Sequence, residues 1–435
     1  MANKFTASEL REQINNSSSG AREFINNLFD DGTFLERGTY VKNGEGYFEG
    51  VVTGSGAVDG RPVFAFVQDF DNEKGAFTAA HGKKITSLYD QALRAGAPMV
   101  AVFSGAGAKV KEGIDVLSAY GAVMTKVSAA KGVIPQIALI DGVCGGASAV
   151  LSQMFDIVIY TDKANRYVAS RSEKTGKPHL VTENAVSDIK ALLALLPSNC
   201  EEGNVCGDEA VNINDPVDVS SLIDGDAHEL VTALSDNSPV FLSETFGKEA
   251  LTALTTLNGR AVGVVANQPT ENNGSLTCCA AKKLASFIDF CGSFGIPVLT
   301  LVNTAGLADG CDLNAFASLA FAYTECPSPV VTAVVGKAYG SAFTLLGSKA
   351  LGADMVLALD SAVISVLDPD TAVEFLYDSE LKAASDPAAE RSSLKDQWLK
   401  TEASPLNAAR SGDIDDVVDS CELKQRLASA LEFLG

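Results

Sequence analysis

The sequence predicts an α/β protein in which one domain occurs twice in tandem, and two observations carry that reading. Apolar strands alternate with helices along the chain, the pattern of βαβ units around a mostly buried sheet. Segments also return at a nearly constant spacing, the mark of internal repetition. DGRPVFAFVQD (59–69) aligns with NGRAVGVVANQ (258–268), and AGAPMVAVFSGAG (95–107) with FGIPVLTLVNTAG (294–306), each 199 residues on. IPQIALIDGVCGGAS (134–148) returns as SPVVTAVVGKAYGSA (328–342) after 194, and the strands opening at Asp156 and Asp354 after 198. A period near 200 is too long for a solenoid, so the copies are domains, expected at 1–245 and 246–435. The 435 residues accommodate this, at roughly 150 residues per domain.

Each copy runs through the same elements. A β-branched apolar strand comes first, then a helix carrying two lysines (Lys83 and Lys84; Lys282 and Lys283) and a G-x-P step. A second apolar strand leads into a Gly/Ala loop, a helix follows, and a third strand enters a second Gly-rich turn. The acidic, turn-rich stretch 200–240 (EEGNVCGDE, NINDP, IDGDAHE) reads as the linker between copies, and 380–400 as a peripheral helix.

Composition narrows the function. With 33 basic and 55 acidic residues the net charge is −22, which argues against nucleic-acid or anionic-membrane binding as a general activity. The longest apolar stretches, VFAFV (63–67) and PVVTAVVG (329–336), fall short of the roughly 18 residues of a membrane helix. No signal-peptide pattern opens the chain, so a cytoplasmic location is expected. Nine scattered cysteines without a C-x-x-C pair read mostly as buried free thiols. The three histidines, His81, His179 and His228, form no ligand spacing, and no metal site is expected.

The chemistry concentrates in four Gly-rich turns: SGAGAKVKEG (104–113) and GVCGGASA (142–149), then NTAGLADG (303–310) and GKAYGSAF (336–343). Small side chains let a ligand approach backbone N–H groups, and a following helix adds its positive end. Two such turns facing one another form a hole for a developing oxyanion. The plainer alternative is a close-packed strand-to-helix turn with no ligand, but four equivalent turns favour function. No G-x-x-x-x-G-K-[ST], G-x-G-x-x-G or G-x-S-x-G pattern is present where it would count. What remains is oxyanion stabilisation without metal, nucleophile or histidine, and enolate formation at a thioester is chemistry of that kind.

Several stretches are specific enough to carry a family resemblance: AREFINNLFDDGTFLERG (21–38), 50–85 ending in HGKKI, SGAGAKVKEG, GVIPQIALIDGVCGGASAVLSQMFD (132–156), FIDFCGSFGIPVLTLVNTAG (287–306) and VVGKAYGSAFTLLGSKALGADMVLAL (334–359). The chain resembles the carboxyltransferase (beta) subunits of biotin-dependent acyl-CoA carboxylases and the alpha subunits of sodium-pumping methylmalonyl-CoA and glutaconyl-CoA decarboxylases. The resemblance implies two crotonase-like domains with acyl-CoA held mainly by one copy and biotin by the other. The implied reaction moves a carboxyl group between carboxybiotin and a small acyl-CoA of the propionyl/methylmalonyl type, through enolates held in two backbone oxyanion holes.

Carried over residue by residue, the first hole falls on Ala106 and Gly107, with Ala108 and Lys109 completing the motif, and the second on Ser341 and Ala342. Ala108, Lys109, Gly145, Gly146, Gly306, Leu307 and Gly340 are the expected substrate-binding residues. Biotin is expected on a separate protein, because none of the five methionines precedes a lysine. Coenzyme A would enter as part of the substrate. Implied partners are a biotin carboxyl carrier protein, a biotin carboxylase or a membrane decarboxylase subunit that could tether the protein to a membrane, and further copies of the chain as a dimer or trimer of dimers.

Departures from the family pattern matter. Ser104 and Asn303 stand where the family places acids, Lys109 replaces an arginine, and 166–188 looks like a shortened replacement for a longer insert. A non-catalytic acyl-CoA-binding paralogue is therefore an alternative, beside the decarboxylase direction. Lys83, Lys84, Lys109, Lys111, Lys282, Lys283 and Lys337 could meet coenzyme A phosphates, although for any one of them a solvated helix face is the stronger expectation. His81 is expected to be structural.

Overall fold

A computed structural model of the chain describes residues 6–169, 177–203 and 215–434. It divides into two units, Met1–Gly203 and Asn204–Gly435. The first contains α1 (Ala7–Ser17), α2 (Ser19–Leu28), β1 (Leu35–Arg37), β2 (Val51–Val58), β3 (Arg61–Gln68), α3 (Ala79–Ala95), β4 (Met99–Gly105), α4 (Ile114–Ala130), β5 (Gln136–Gly145), α5 (Ala147–Ser152), β6 (Ile157–Tyr160), β7 (Asn165–Tyr167), β8 (Leu180–Val181) and α6 (Ala185–Leu195). The second contains α7 (Ala227–Leu234), β9 (Val240–Leu242), β10 (Ala250–Leu257), β11 (Arg260–Asn267), α8 (Cys278–Ser293), β12 (Val298–Thr304), α9 (Leu313–Glu325), β13 (Val330–Tyr339), α10 (Ser341–Leu345), β14 (Met355–Leu359) and β15 (Val363–Ser365). It closes with α11 (Pro369–Leu376), α12 (Asp378–Ala383), α13 (Pro387–Lys400), α14 (Pro405–Ser411), β16 (Asp416–Val418) and α15 (Leu423–Leu434).

The two sheets repeat each other strand for strand. One runs β1-β2-β3-β4-β5-β6-β8 with β7 beside β5; the other runs β9-β10-β11-β12-β13-β14-β16 with β15 beside β13. In both, the first three strands pair antiparallel and the rest parallel. The expectation of a buried βαβ sheet therefore holds for the parallel part, while each copy also opens on a hairpin. Its signal was in the sequence: Asp59-Gly60 and Asn258-Gly259 both have positive φ at both residues (48° and 77°; 52° and 74°), the geometry that D-G and N-G hairpin loops favour.

The second copy begins well before residue 246. Strand β9 pairs with β10, as β1 pairs with β2, and α7 packs on β10 and β11 as α2 packs on β2 and β3. The Asp30 carboxylate accepts from the Asp59 and Gly60 N–H groups, and the Asp236 carboxylate accepts from Gly259 N–H, so each hairpin loop is tied to its preceding helix in the same way. Polar composition concealed this, because α7 and β9 are short, α7 lies inside the stretch read as a linker and β9 begins at its end. Residues 204–214 of that stretch, and 170–176 of the shortened insert, lie outside the described residues. Helix α13 buries none of its residues, as a peripheral helix should. No described helix is long and apolar enough to cross a membrane.

Two of the seven lysines are neither solvated nor free for a ligand. Lys84 and Lys283 are 8% and 6% exposed. Lys84 Nζ donates to the Val51 carbonyl, and Lys283 Nζ to those of Ser243, Phe246 and Ala250, at 3.0, 3.1 and 2.8 Å. They anchor helices α3 and α8 to the loops and strands beneath them. Burial pushes both ammonium groups down to about 8 from 10.5, against the pull of nearby glutamates. Between those values the unfolded chain binds more protons than the folded one, so this contribution makes stability rise with pH from about 8 to about 10.5. The stability of wild type relative to Lys283→Met should therefore improve between pH 8 and pH 10 in thermal melts, and a pH-independent difference would contradict the buried cation.

The cysteines also depart from expectation. Of the eight in described residues, all free, only Cys144 and Cys291 are buried. Cys200, Cys279 and Cys421 are exposed, and Cys278, Cys311 and Cys326 are partly so, because most of these sit at helix starts and loops rather than on sheet-facing positions.

Candidate functional site

In each unit the first Gly-rich turn follows the second parallel strand and is fixed from behind by a short loop before the lysine-bearing helix. Ala106 N–H donates to the Lys74 carbonyl (3.0 Å), Phe77 N–H to Gly107 (2.9 Å) and Lys109 N–H to Phe77 (2.8 Å). Since Phe77 bonds the residues on either side of Ala108 in a parallel bridge, the Ala108 amide faces the other way. Among the described residues no acceptor takes the N–H of Gly107 or Ala108. The second unit repeats the arrangement: Ala305 N–H donates to Asn273 (3.2 Å), Leu276 to Gly306 (2.9 Å) and Ala308 to Leu276 (3.0 Å). Gly306 N–H is used by Thr304 Oγ1 at 3.1 Å, and Leu307 N–H has no described acceptor.

The supporting loop depends on close backbone approach. A Cβ on Gly75 (φ +63°) would lie 2.1 Å from the Ser104 carbonyl oxygen, and one on Gly274 (φ +67°) 2.3 Å from that of Asn303. Only glycine fits at either place. These residues were missed at the sequence level because nothing in their neighbourhood looks like a ligand loop.

The second turn supplies amides of a different origin. Gly146 N–H donates to Tyr167 (2.9 Å) and Gly340 N–H to Ser365 (2.9 Å), so β7 and β15 hold the glycines that precede α5 and α10. The first amides of a helix have no intrahelical acceptor, and no described residue accepts from Ala147, Ser341 or Ala342. The turns abut within each unit: a Cβ on Gly107 would be 3.4 Å from the Gly145 carbonyl, and one on Gly306 3.9 Å from that of Tyr339.

The structure thus brings Ala106, Gly107, Ala108, Lys109, Gly145 and Gly146 together in the first unit, and Gly306, Leu307, Gly340, Ser341 and Ala342 in the second. It corrects one donor. The Ala106 N–H is already spent on Lys74, whereas Ala108, expected only to bind substrate, offers a free one. Ala147 is the first-unit counterpart of Ser341 and went unnoticed because its side chain carries no signal.

Lys109 is held by two carboxylates, Glu45 and Glu73, each at 2.8 Å. Partial burial opposes its charge, but these bonds outweigh it and push the group up to about 12. It is a fixed cation at the edge of the turn. Lys282 and Lys337 face Asp312 and Asp224 at 3.9 and 3.8 Å, Lys111 faces Glu45 at 3.2 Å, and Lys83 lines a cleft of about 220 Å³ with Arg37 and Thr53. His81 is completely buried, and burial, then the Lys84 charge, pushes it down to about 3. It is a neutral core residue bonded to Gln68 at 3.3 Å.

The two positions where the family resemblance implies an acid, Ser104 and Asn303, have different surroundings. Asn303 is buried; its Nδ2 donates to the Ile223 carbonyl (2.8 Å) and to Asp224 (3.3 Å), and its Oδ1 accepts from Lys337 N–H (3.0 Å). A carboxylate there would face Asp224 and a carbonyl, so the amide is the side chain these neighbours require. Ser104 N–H donates to Gln68 Oε1 at 3.1 Å, and its half-buried hydroxyl lies beside Gly142.

Comparison with known proteins gives a consistent picture. The family model described as the carboxyl transferase domain matches residues 12–177 and 172–434. The chain is 33% identical over 467 residues to the carboxyltransferase subunit of propionyl-CoA carboxylase from Haloferax mediterranei, covering 95% of this chain and 90% of that protein. It is 32% identical over 465 residues to the alpha subunit of methylmalonyl-CoA decarboxylase from Propionigenium modestum, with the same coverage. The transcarboxylase 12S crystal structure, a hexamer with methylmalonyl-coenzyme A and methylmalonic acid bound, superposes with a TM-score of 0.92 at 30% identity, over 98% of this chain and 94% of that one.

Proposed function

The chain belongs to the carboxyl transferase family, and on that premise we propose that it is the carboxyltransferase component of a biotin-dependent acyl-CoA carboxylase, acting on a small acyl-CoA of the propionyl/methylmalonyl type. The observation that carries this reading is the duplicated pair of abutting turns whose amides have no acceptor among the described residues: Gly107, Ala108 and Ala147 in one copy, Leu307, Ser341 and Ala342 in the other. Five of these six side chains are small and leave the backbone open to a planar group with an anionic oxygen, and preorganised N–H donors aimed at developing charge form the largest single catalytic contribution in many enzymes.

The first set would hold the thioester oxygen of the acyl-CoA as its α-carbon becomes nucleophilic, with Lys109, fixed by Glu45 and Glu73, marking the edge of the turn. The second set would receive the ureido oxygen of biotin. Biotin supplies the carboxyl group that is transferred, and it would arrive on a carrier protein because no methionine in this sequence precedes a lysine. A biotin carboxylase and further copies of the chain are the partners this reading implies. The decarboxylase direction uses the same groups in reverse, and co-purification with a multi-spanning membrane subunit instead of a biotin carboxylase would select it.

Malonyl-, methylmalonyl- and glutaconyl-CoA, each incubated with free biotin, test the reading. We expect CO2 release with methylmalonyl-CoA at the highest kcat/KM. Tight binding of these esters with no turnover of any of them is the behaviour of a non-catalytic paralogue and would overturn the assignment.

A further inference from the structure

Two cysteines of the second unit meet where two helices begin. Cys278 is the first residue of α8, after the capping Thr277. Cys311 precedes Asp312, which caps α9, and the Cys278 N–H donates to Cys311 Sγ at 3.0 Å. Both thiols are partly exposed. The Asp312 backbone N–H, then the Cys311 thiol, with Cys279 and the Lys282 charge adding to them, hold the Cys278 thiol below its usual range.

The equivalent place in the first unit shows what the position accepts. There the first residue of α3 is Ala79, and its N–H is capped by the Glu112 carboxylate at 2.6 Å. Cys278 lies 199 residues after Ala79, and Cys311 199 after Glu112, so both partners of the equivalent contact are cysteines in the second copy. The Cys311 sulfur stands where the first copy has a carboxylate; burial, then the neighbouring cysteines, pushes its own thiol up, which leaves the lowered Cys278 thiol as the nucleophile.

We propose that Cys278 and Cys311 are a peroxide-reactive dithiol whose reversible disulfide fastens the Gly306–Cys311 turn to the start of α8. The Cys278 thiolate attacks one oxygen of hydrogen peroxide; the O–O bond breaks, hydroxide leaves and is protonated to water, and Cys278 becomes a sulfenic acid. Cys311 sulfur then attacks the Cys278 sulfur, the S–O bond breaks, and the oxygen departs with the Cys311 proton as a second water. Two thiols lose two electrons and the peroxide is reduced to two waters; an external dithiol reverses the step. The turn carries the Leu307 amide, so control of carboxyl transfer by this disulfide rests on the function proposed above.

The test exposes the whole protein to hydrogen peroxide and maps its peptides, with and without subsequent dithiothreitol. We expect a Cys278–Cys311 cross-link that dithiothreitol removes, that persists in Cys279→Ser, and that is replaced in Cys311→Ser by a Cys278 sulfenic acid trapped with dimedone. Oxidation of Cys278 to the sulfinic acid without a cross-link in wild type, or cross-linking of Cys279 in preference, would overturn the pair. A second readout concerns the control: oxidised wild type should lose methylmalonyl-CoA turnover by on the order of tenfold or more and regain it with dithiothreitol, while Cys311→Ser should not show this reversible loss. A cross-link that leaves turnover unchanged would contradict the control and keep the dithiol. A cross-link in a protein inactive even when reduced would count against the proposed function instead.

Discussion

Replacing Ala108 with proline is expected to lower acyl-CoA turnover by on the order of 100-fold or more, the loss seen when one oxyanion donor is removed, while the thermal midpoint changes little. Proline deletes the Ala108 N–H, which no described residue accepts. The Phe77 bridge uses the Gly107 carbonyl and the Lys109 amide, so it survives. Ser341→Pro is the counterpart in the second copy. Ser341 is exposed and is the first residue of α10, where proline is well tolerated because the missing N–H has no intrahelical acceptor. Gly107→Pro would be a poorer test, since Gly107 has φ +112° and proline cannot adopt it. Steady-state kinetics beside melting curves check the pair; near-wild-type rates in both variants, with intact folds, would remove the oxyanion assignment.

The second large effect falls on stability. Asn303→Asp restores the acid expected from the family and should destabilise the protein by about 3 kcal/mol at neutral pH, the scale of an uncompensated buried charge. The Asp224 carboxylate and the Ile223 carbonyl, which now accept from Asn303 Nδ2, would both face a carboxylate. Burial and like charge raise the folded pKa of the new acid above its unfolded value near 4. The folded state then binds more protons, so the penalty grows as pH rises through the unfolded value and shrinks in acid. Urea denaturation at pH 5 and pH 7.5 measures this; a loss no larger at pH 7.5 than at pH 5 would contradict it.

These two cases show how far the residues alone could lead. The duplication was legible because buried parallel strands such as Val298–Thr304 and Met99–Gly105 keep their apolar character in both copies. The start of the second copy was not, because α7 and β9 repeat the architecture of α2 and β1 in an acidic, turn-rich sequence. The turns themselves were found from glycine and alanine content, but which amide is free depends on where the Lys74 and Phe77 backbone bonds go, and no side chain reports that. Ala106 and Ala108 carry the same side chain, and only the bond from Ala106 to the Lys74 carbonyl and the Phe77 bridge at Ala108 separate a spent donor from an open one. Lys84 and Lys283 show the converse: a charged residue on a helix reads as solvated until the carbonyls of Val51 and Ala250 are found beneath it.

Conversion of methylmalonyl-CoA to propionyl-CoA, followed by mass spectrometry with and without free biotin, tests the central claim most directly. The account predicts propionyl-CoA that appears in proportion to added biotin and falls by on the order of 100-fold in Ala108→Pro and in Ser341→Pro. Methylmalonyl-CoA that binds and is returned unchanged at every biotin concentration would contradict it.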